Sequence, residues 1–262
     1  MIGAIIGDIV GSRFEWDNIK TKEFELFDLE CSFTDDSVMT LAVAQAILKC
    51  GGDLDALERE AVACMRELGK RYPLAGYGGR FTMWLLSKNP KPYNSFGNGS
   101  AMRVSPCGFA AKTLEETIAL ADAVTKVTHN HPEGMKGAEA TAAAIFLARS
   151  GASMQEIRDH IEQNYYKIDF TLDEIRPTYT FDVSCQGSVP QALEAFFEST
   201  DFEDAIRNAI SIGGDSDTIA AITGGIAQAF YGIPDDLRNQ TVLFLDETQL
   251  KILSEFETAY PA

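Results

Sequence analysis

The sequence has no paired-cysteine pattern, no long apolar run and little positive charge. Its five cysteines, Cys31, Cys50, Cys64, Cys107 and Cys185, are odd in number and scattered without a CxxC pair, which excludes a disulfide framework and a zinc ribbon and points to the reducing cytoplasm. No segment offers about 18 uninterrupted apolar residues, so no membrane-spanning helix is expected. The apolar start MIGAIIGDIVGS lacks a basic flank and reaches Asp8 too early for a secretory signal. Gly/Ser linkers, low-complexity tracts and repeats are also missing, and a single domain over 1–262 is the simplest organisation. With 22 basic against 39 acidic residues the net charge is -17, a field that repels nucleic-acid phosphates and anionic lipid. An anionic small ligand would need local positive charge, which bound divalent cations supply.

What is present is helical. Alternation with period two is rare, while Leu54, Leu57, Ala61, Cys64, Met65 and Leu68 form an apolar stripe at helical spacing. Thr113 with Glu116 and Ser153 with Glu156 have capping-box spacing and predict two helix starts. Further helices are predicted over 37–49, 137–148, 189–198, 202–210, 218–231 and 248–257. The runs GAEATAAAIFLA and TIAAITGGIAQAF are apolar nearly all round and belong in the core. Residues 89–98 and 168–187 are polar or proline-containing and read as loops. The fold class is all-α.

Two acidic clusters, Thr34-Asp35-Asp36-Ser37 and Gly213-Gly214-Asp215-Ser216-Asp217-Thr218, each precede an apolar helical run. Helix capping accounts for one acid in each, since a carboxylate at an N-terminus is favoured by the exposed amides. It does not account for two. Neighbouring carboxylates repel unless a cation lies between them, and hard cations such as magnesium or manganese take carboxylate, hydroxyl and water oxygens. Thr34, Asp35, Asp36, Asp215, Asp217 and Thr218 supply six such groups, enough for two ions to share. Gly213 and Gly214 permit a sharp turn close to a ligand.

Three other segments carry open alternatives. Glu15 reads either as a solvated surface acid beside Trp16 or as a general acid/base at the end of an apolar segment. Gly97-Asn98-Gly99-Ser100-Ala101-Met102-Arg103 reads as a plain turn or as a loop whose amides cradle a phosphate. Thr128-His129-Asn130-His131 tempts toward zinc, but no third nitrogen or sulfur ligand has a recognisable spacing. Its histidines either cap the following helix or contact substrate.

In their order, GDIVGSRFE, TDDS, GNGSAMR, THNHPEG and GGDSDT resemble the ADP-ribosylglycohydrolase family over residues 1 to about 232. That family includes dinitrogenase-reductase-activating glycohydrolases and ADP-ribosylarginine and ADP-ribosylserine hydrolases. The resemblance implies a compact orthogonal helical bundle with two Mg2+ or Mn2+ ions on Thr34, Asp35, Asp36, Asp215, Asp217 and Thr218. It makes Glu15 and Asp36 the catalytic acids, and places Gly97, Asn98, Gly99, Ser100, Met102 and His129 on the substrate. The expected activity is metal-dependent removal of ADP-ribose from a modified acceptor, first of all protein arginine, by a monomer. Serine-linked or small-molecule conjugates, or non-catalytic ADP-ribose binding, are the alternatives. One departure stands out: relatives often carry an adenine-stacking aromatic in the segment aligned with Gly187-Ser188-Val189, and Ser188 replaces it here. Tyr72, Tyr77 and Tyr93 are the aromatic residues considered in its place.

Overall fold

The computed structural model describes residues 1–261. Among them there are fourteen α-helices and no strand. In chain order these are α1 (Ile2–Gly11), α2 (Asp35–Cys50), α3 (Leu54–Arg71), α4 (Gly79–Leu86), α5 (Ser105–Ala110), α6 (Leu114–Thr125) and α7 (Pro132–Arg149). There follow α8 (Met154–Asn164), α9 (Leu172–Ile175), α10 (Cys185–Phe197), α11 (Phe202–Ser211), α12 (Ser216–Tyr231), α13 (Asp235–Thr241) and α14 (Glu247–Ala259).

The predicted caps form. Thr113 Oγ1 accepts from Glu116 N at 3.1 Å, and Ser153 with Glu156 makes a reciprocal capping box at the start of α8. The stripe of α3 buries Leu57, Ala61, Cys64, Met65 and Leu68, whereas Leu54 stays exposed. Several elements differ from expectation: α4, α5 and α13 fall where no helix was predicted, and α7 begins at Pro132, ahead of 137. Within 168–187, Thr171 and Glu174 cap the one-turn helix α9, and α10 begins at Cys185, ahead of Val189, because the Ser184 side chain accepts from Gly187 N. A turn this short leaves no readable period.

The larger surprise is α1. All ten of its residues are buried, Asp8 included, so it has no polar face by which a periodic pattern would announce it. It packs along α12, also buried through most of its length, and a Cβ added to Gly7 would lie 2.0 Å from the Ala220 carbonyl oxygen. Only glycine lets the two backbones approach so closely. This seam sets the C-terminal end of α1 beside the N-terminus of α12, and the N-terminus of α2 lies against Asp8. No helix among the described residues is long and apolar enough to cross a membrane.

Candidate active site

Both acidic clusters are helix N-termini, but they are not equivalent. Thr34 caps α2, its Oγ1 accepting from Asp36 N at 3.3 Å. Asp215 holds the cap position of α12 without a side-chain capping bond. Its carboxylate instead accepts from Asn98 Nδ2 at 2.6 Å. Capping therefore leaves Asp215 unexplained. Gly213 and Gly214 both have positive φ, 67° and 80°, and a Cβ on Gly214 would strike the Tyr179 ring at 2.3 Å. Asn18 clamps this turn, donating to Gly214 O at 2.9 Å and accepting from Gly214 N at 2.7 Å, while also donating to the carbonyls of Phe14 and Glu15. Glu15 is thereby tied to the Gly-Gly turn.

Carboxylate oxygens of Asp8, Asp36 and Asp217 lie within 4.8 Å of one another, and so do those of Glu15, Asp215 and Asp217. Asp217 belongs to both trios. Thr218 Oγ1 reaches Asp36 Oδ2 at 3.3 Å. Asp35 faces the same cavity but lies outside both trios, and Thr34 turns its hydroxyl to Asp8 Oδ1 at 2.6 Å. None of the ion pairs among the described residues involves these acids. Burial first, then the facing acids, hold Asp36 and Asp217 well above the ordinary carboxylate range. The same causes raise Asp35 to about 8 and Glu15 to about 7. Asp36 Oδ1 is buried with no hydrogen-bond partner. Such a set of hard oxygens, mutually repelling and short of positive charge, fits divalent cations.

Asp8 is the site residue that sequence reasoning missed. It accepts from Thr34 N, Thr34 Oγ1, Ser37 N and Ser37 Oγ, which aim the start of α2 at the cavity. Its signal was one acid inside an otherwise apolar ten-residue helix.

The acids form one wall of a cavity of about 440 Å³, and Arg80, Tyr93, Gly97, Asn98, Gly99, Met102 and His129 form much of the other. Ser100 does not line it; its hydroxyl bonds the carbonyls of Gly97 and Gly134 in the core. The two readings of the histidine segment divide between its residues: His131 caps α7, accepting from Glu133 N at 3.1 Å, while His129 lines the cavity. Ser188 is fully buried, accepting from Asn98 Nδ2 at 3.0 Å and donating to Asp182 O at 2.8 Å. Among the three tyrosines considered, Tyr93 lines the cavity. Tyr72 instead bonds Asp246 and Tyr77 packs on Phe81. At the mouth, beside Glu15, Trp16 and Phe181 stack with centroids 5.0 Å apart, and Trp16 is 79% exposed.

An all-helical protein with a carboxylate-lined cleft at converging helix N-termini is the class that fold and site define. The comparisons narrow it: the family profile of ADP-ribosylglycohydrolase matches residues 1–260, and the chain belongs to that family, one of glycosidic-bond hydrolases. It is similar to the ADP-ribosylhydrolase ARH3 of Homo sapiens, 27% identical over 89% of this chain and 84% of that protein. It is also similar to the ADP-ribosylarginine hydrolase Tri1 of Serratia proteamaculans, 27% identical over 88% of this chain and 70% of that one. A solved structure titled ADP-ribosylglycohydrolase-related protein complex shares the fold, with TM-score 0.71 at 22% identity over 98% of this chain and 95% of the other.

Proposed function

We propose that this enzyme hydrolyses the bond between ADP-ribose and an acceptor, preferring ADP-ribosylated arginine on protein, at a centre of two Mg2+ or Mn2+ ions held by Thr34, Asp35, Asp36, Asp215, Asp217 and Thr218. The observation that carries this reading is the pair of carboxylate trios sharing Asp217 at one wall of the cavity. When bound, the ions supply charge for the sugar hydroxyls and lower the pKa of water. The chain's own residues do the rest. Asp8 orients Thr34 and the start of α2, Asn98 holds Asp215, and the Gly97–Gly99 loop with Met102 and His129 faces the remainder of the substrate. Glu15, half-buried with a carboxylate oxygen within 4.8 Å of those of Asp215 and Asp217, is the acid placed to exchange a proton with the leaving group or the attacking water. Asp36 lies at the same centre.

Two features support arginine as the acceptor. The stacked pair Trp16–Phe181 beside Glu15 offers an open indole face, on which a planar guanidinium stacks well. The net charge of -17 favours a cationic approach from solvent. The reading includes a single domain over 1–262, of which residue 262 lies outside the described residues, acting as a monomer in the cytoplasm. All five cysteines are free and buried, consistent with a reducing compartment.

The test is release of free ADP-ribose from arginine- and serine-modified proteins with Mg2+, with Mn2+ and with chelator, using Asp35→Ala as control. Metal-dependent release from the arginine substrate, lost in the variant, is expected. Release from the serine substrate alone overturns the acceptor assignment. ADP-ribose binding without any release makes the chain a sensor.

A further inference from the structure

Arg103 is the largest fully buried side chain, 1% exposed, and it takes part in none of the ion pairs among the described residues. Burial lowers it only to about 10, so it remains a cation at neutral pH. Its Nη2 donates to Val124 O at 3.0 Å and to Thr128 Oγ1 at 2.7 Å. A guanidinium has no acceptor, so Thr128 Oγ1 must accept here and send its own hydrogen elsewhere. Two atoms are in reach: Thr125 O at 3.4 Å and His129 Nδ1 at 2.7 Å. Thr125 O already accepts the amides of Thr128 at 3.1 Å and His129 at 2.9 Å, and 3.4 Å is long for a hydroxyl donor. The shorter contact and the crowding at Thr125 O both favour Nδ1 as the acceptor.

With Nδ1 accepting, a neutral imidazole carries its proton on Nε2. That nitrogen faces the Gly97–Gly99 loop, where a Cβ on Gly97 or Gly99 would stand 3.7 or 3.5 Å from it. It has no protein partner among the described residues. We propose that Arg103 and Thr128 are positioning residues that fix His129 as the Nε2–H tautomer, making it a permanent hydrogen-bond donor to an oxygen of bound ADP-ribose. His129 then binds and orients; it does not shuttle protons. The groups facing it agree. Burial, Arg103 and Arg80 all oppose a positive imidazole, and Tyr93, whose ring centroid is 5.9 Å away, is neutral.

The donor role rests on the reading that ADP-ribose occupies this cavity, whereas the tautomer does not, and the experiment separates them. In ¹⁵N-histidine protein, the three imidazoles are assigned with His129→Gln and followed by long-range ¹H–¹⁵N correlation. His129 should show the Nε2–H pattern, unchanged from about pH 8 to about pH 5. Thr128→Val should convert it to a mixed or Nδ1–H form and weaken ADP-ribose binding, measured by calorimetry, about five- to tenfold, the worth of one hydrogen bond. Because that variant also strips Arg103 of an acceptor, Thr128→Ser is the control, and it should restore both the pattern and the affinity. An Nδ1–H pattern in the unmodified protein, or titration of His129 within that pH range, overturns the relay. A correct tautomer with affinity unchanged in Thr128→Val overturns the donor role, and absence of any ADP-ribose binding by the unmodified protein overturns the occupancy on which that role rests.

Discussion

The two walls of the cavity are built on opposite electrostatic plans. Asp36, Asp215, Asp217 and Glu15 crowd buried or half-buried carboxylates together with no basic side chain among them. Across the cavity stand Arg80, Tyr93, the glycine loop, His129 and the buried Arg103. The acidic wall needs cations to be stable in its ionised form; the facing wall carries hydrogen-bond donors and, among the described residues, no carboxylate. On the proposed reading, one cavity would hold neutral hydroxyls through cations on one wall and anionic oxygens through donors on the other, as ADP-ribose requires.

That contrast can be broken one wall at a time. Asp217→Ala removes the acid common to both trios, and since a catalytic cation supplies several kcal/mol, turnover should fall about a thousandfold or more. Steady-state kinetics with saturating Mn2+ checks this, and a variant within tenfold of the parent would disprove the shared centre. Glu15→Gln, which keeps the shape and removes the exchangeable proton, should cost about a hundredfold or more in kcat, measured with Mn2+ at saturation. Asp8→Asn leaves the cavity lining untouched but weakens the acceptor for Thr34 and Ser37; a loss of about ten- to a hundredfold in metal affinity is expected by titration. Trp16→Ala should raise KM for arginine-modified protein about fivefold, with little change for a serine-modified one, if the indole carries a cation–π contact.

The mildest test is pH-dependent stability without metal. Glu15 at about 7 and Asp35 at about 8 lie above the roughly 4 of an unfolded chain, so the native state binds more protons between those values. The stability is present below about pH 4 and lost as pH rises through 7 to 8. Melting temperature in chelator should therefore fall between about pH 5 and pH 8, and added Mg2+ or Mn2+ should flatten the decline.

Much of this was legible from residues alone. Long helices declared themselves by period and caps, and α7 and α12 by being apolar all round. The acidic clusters stood out because two adjacent acids exceed what a helix start needs. Helix α1 escaped because it is short and buried on every side, and with it went the meaning of Asp8. The Arg103–Thr128–His129 relay joins residues about 25 apart in the chain, and nothing local marks an arginine as buried. Ser188 seemed to vacate a stacking position, yet in the fold it supports Asn98 behind the cavity wall. Trp16 and Phe181 meet only because separate loops converge at the mouth.

At the α1–α12 seam the decisive feature is an absent methyl group. An alanine at Gly7 would collide with backbone, which has no rotamer to yield, so the helices would have to part or slide. The acids at their ends would move with them. The spacing of the oxygen trios is therefore a dimension machined into the core, with glycine as its gauge, and a variant there would alter the reactive geometry without touching a single group that meets the substrate.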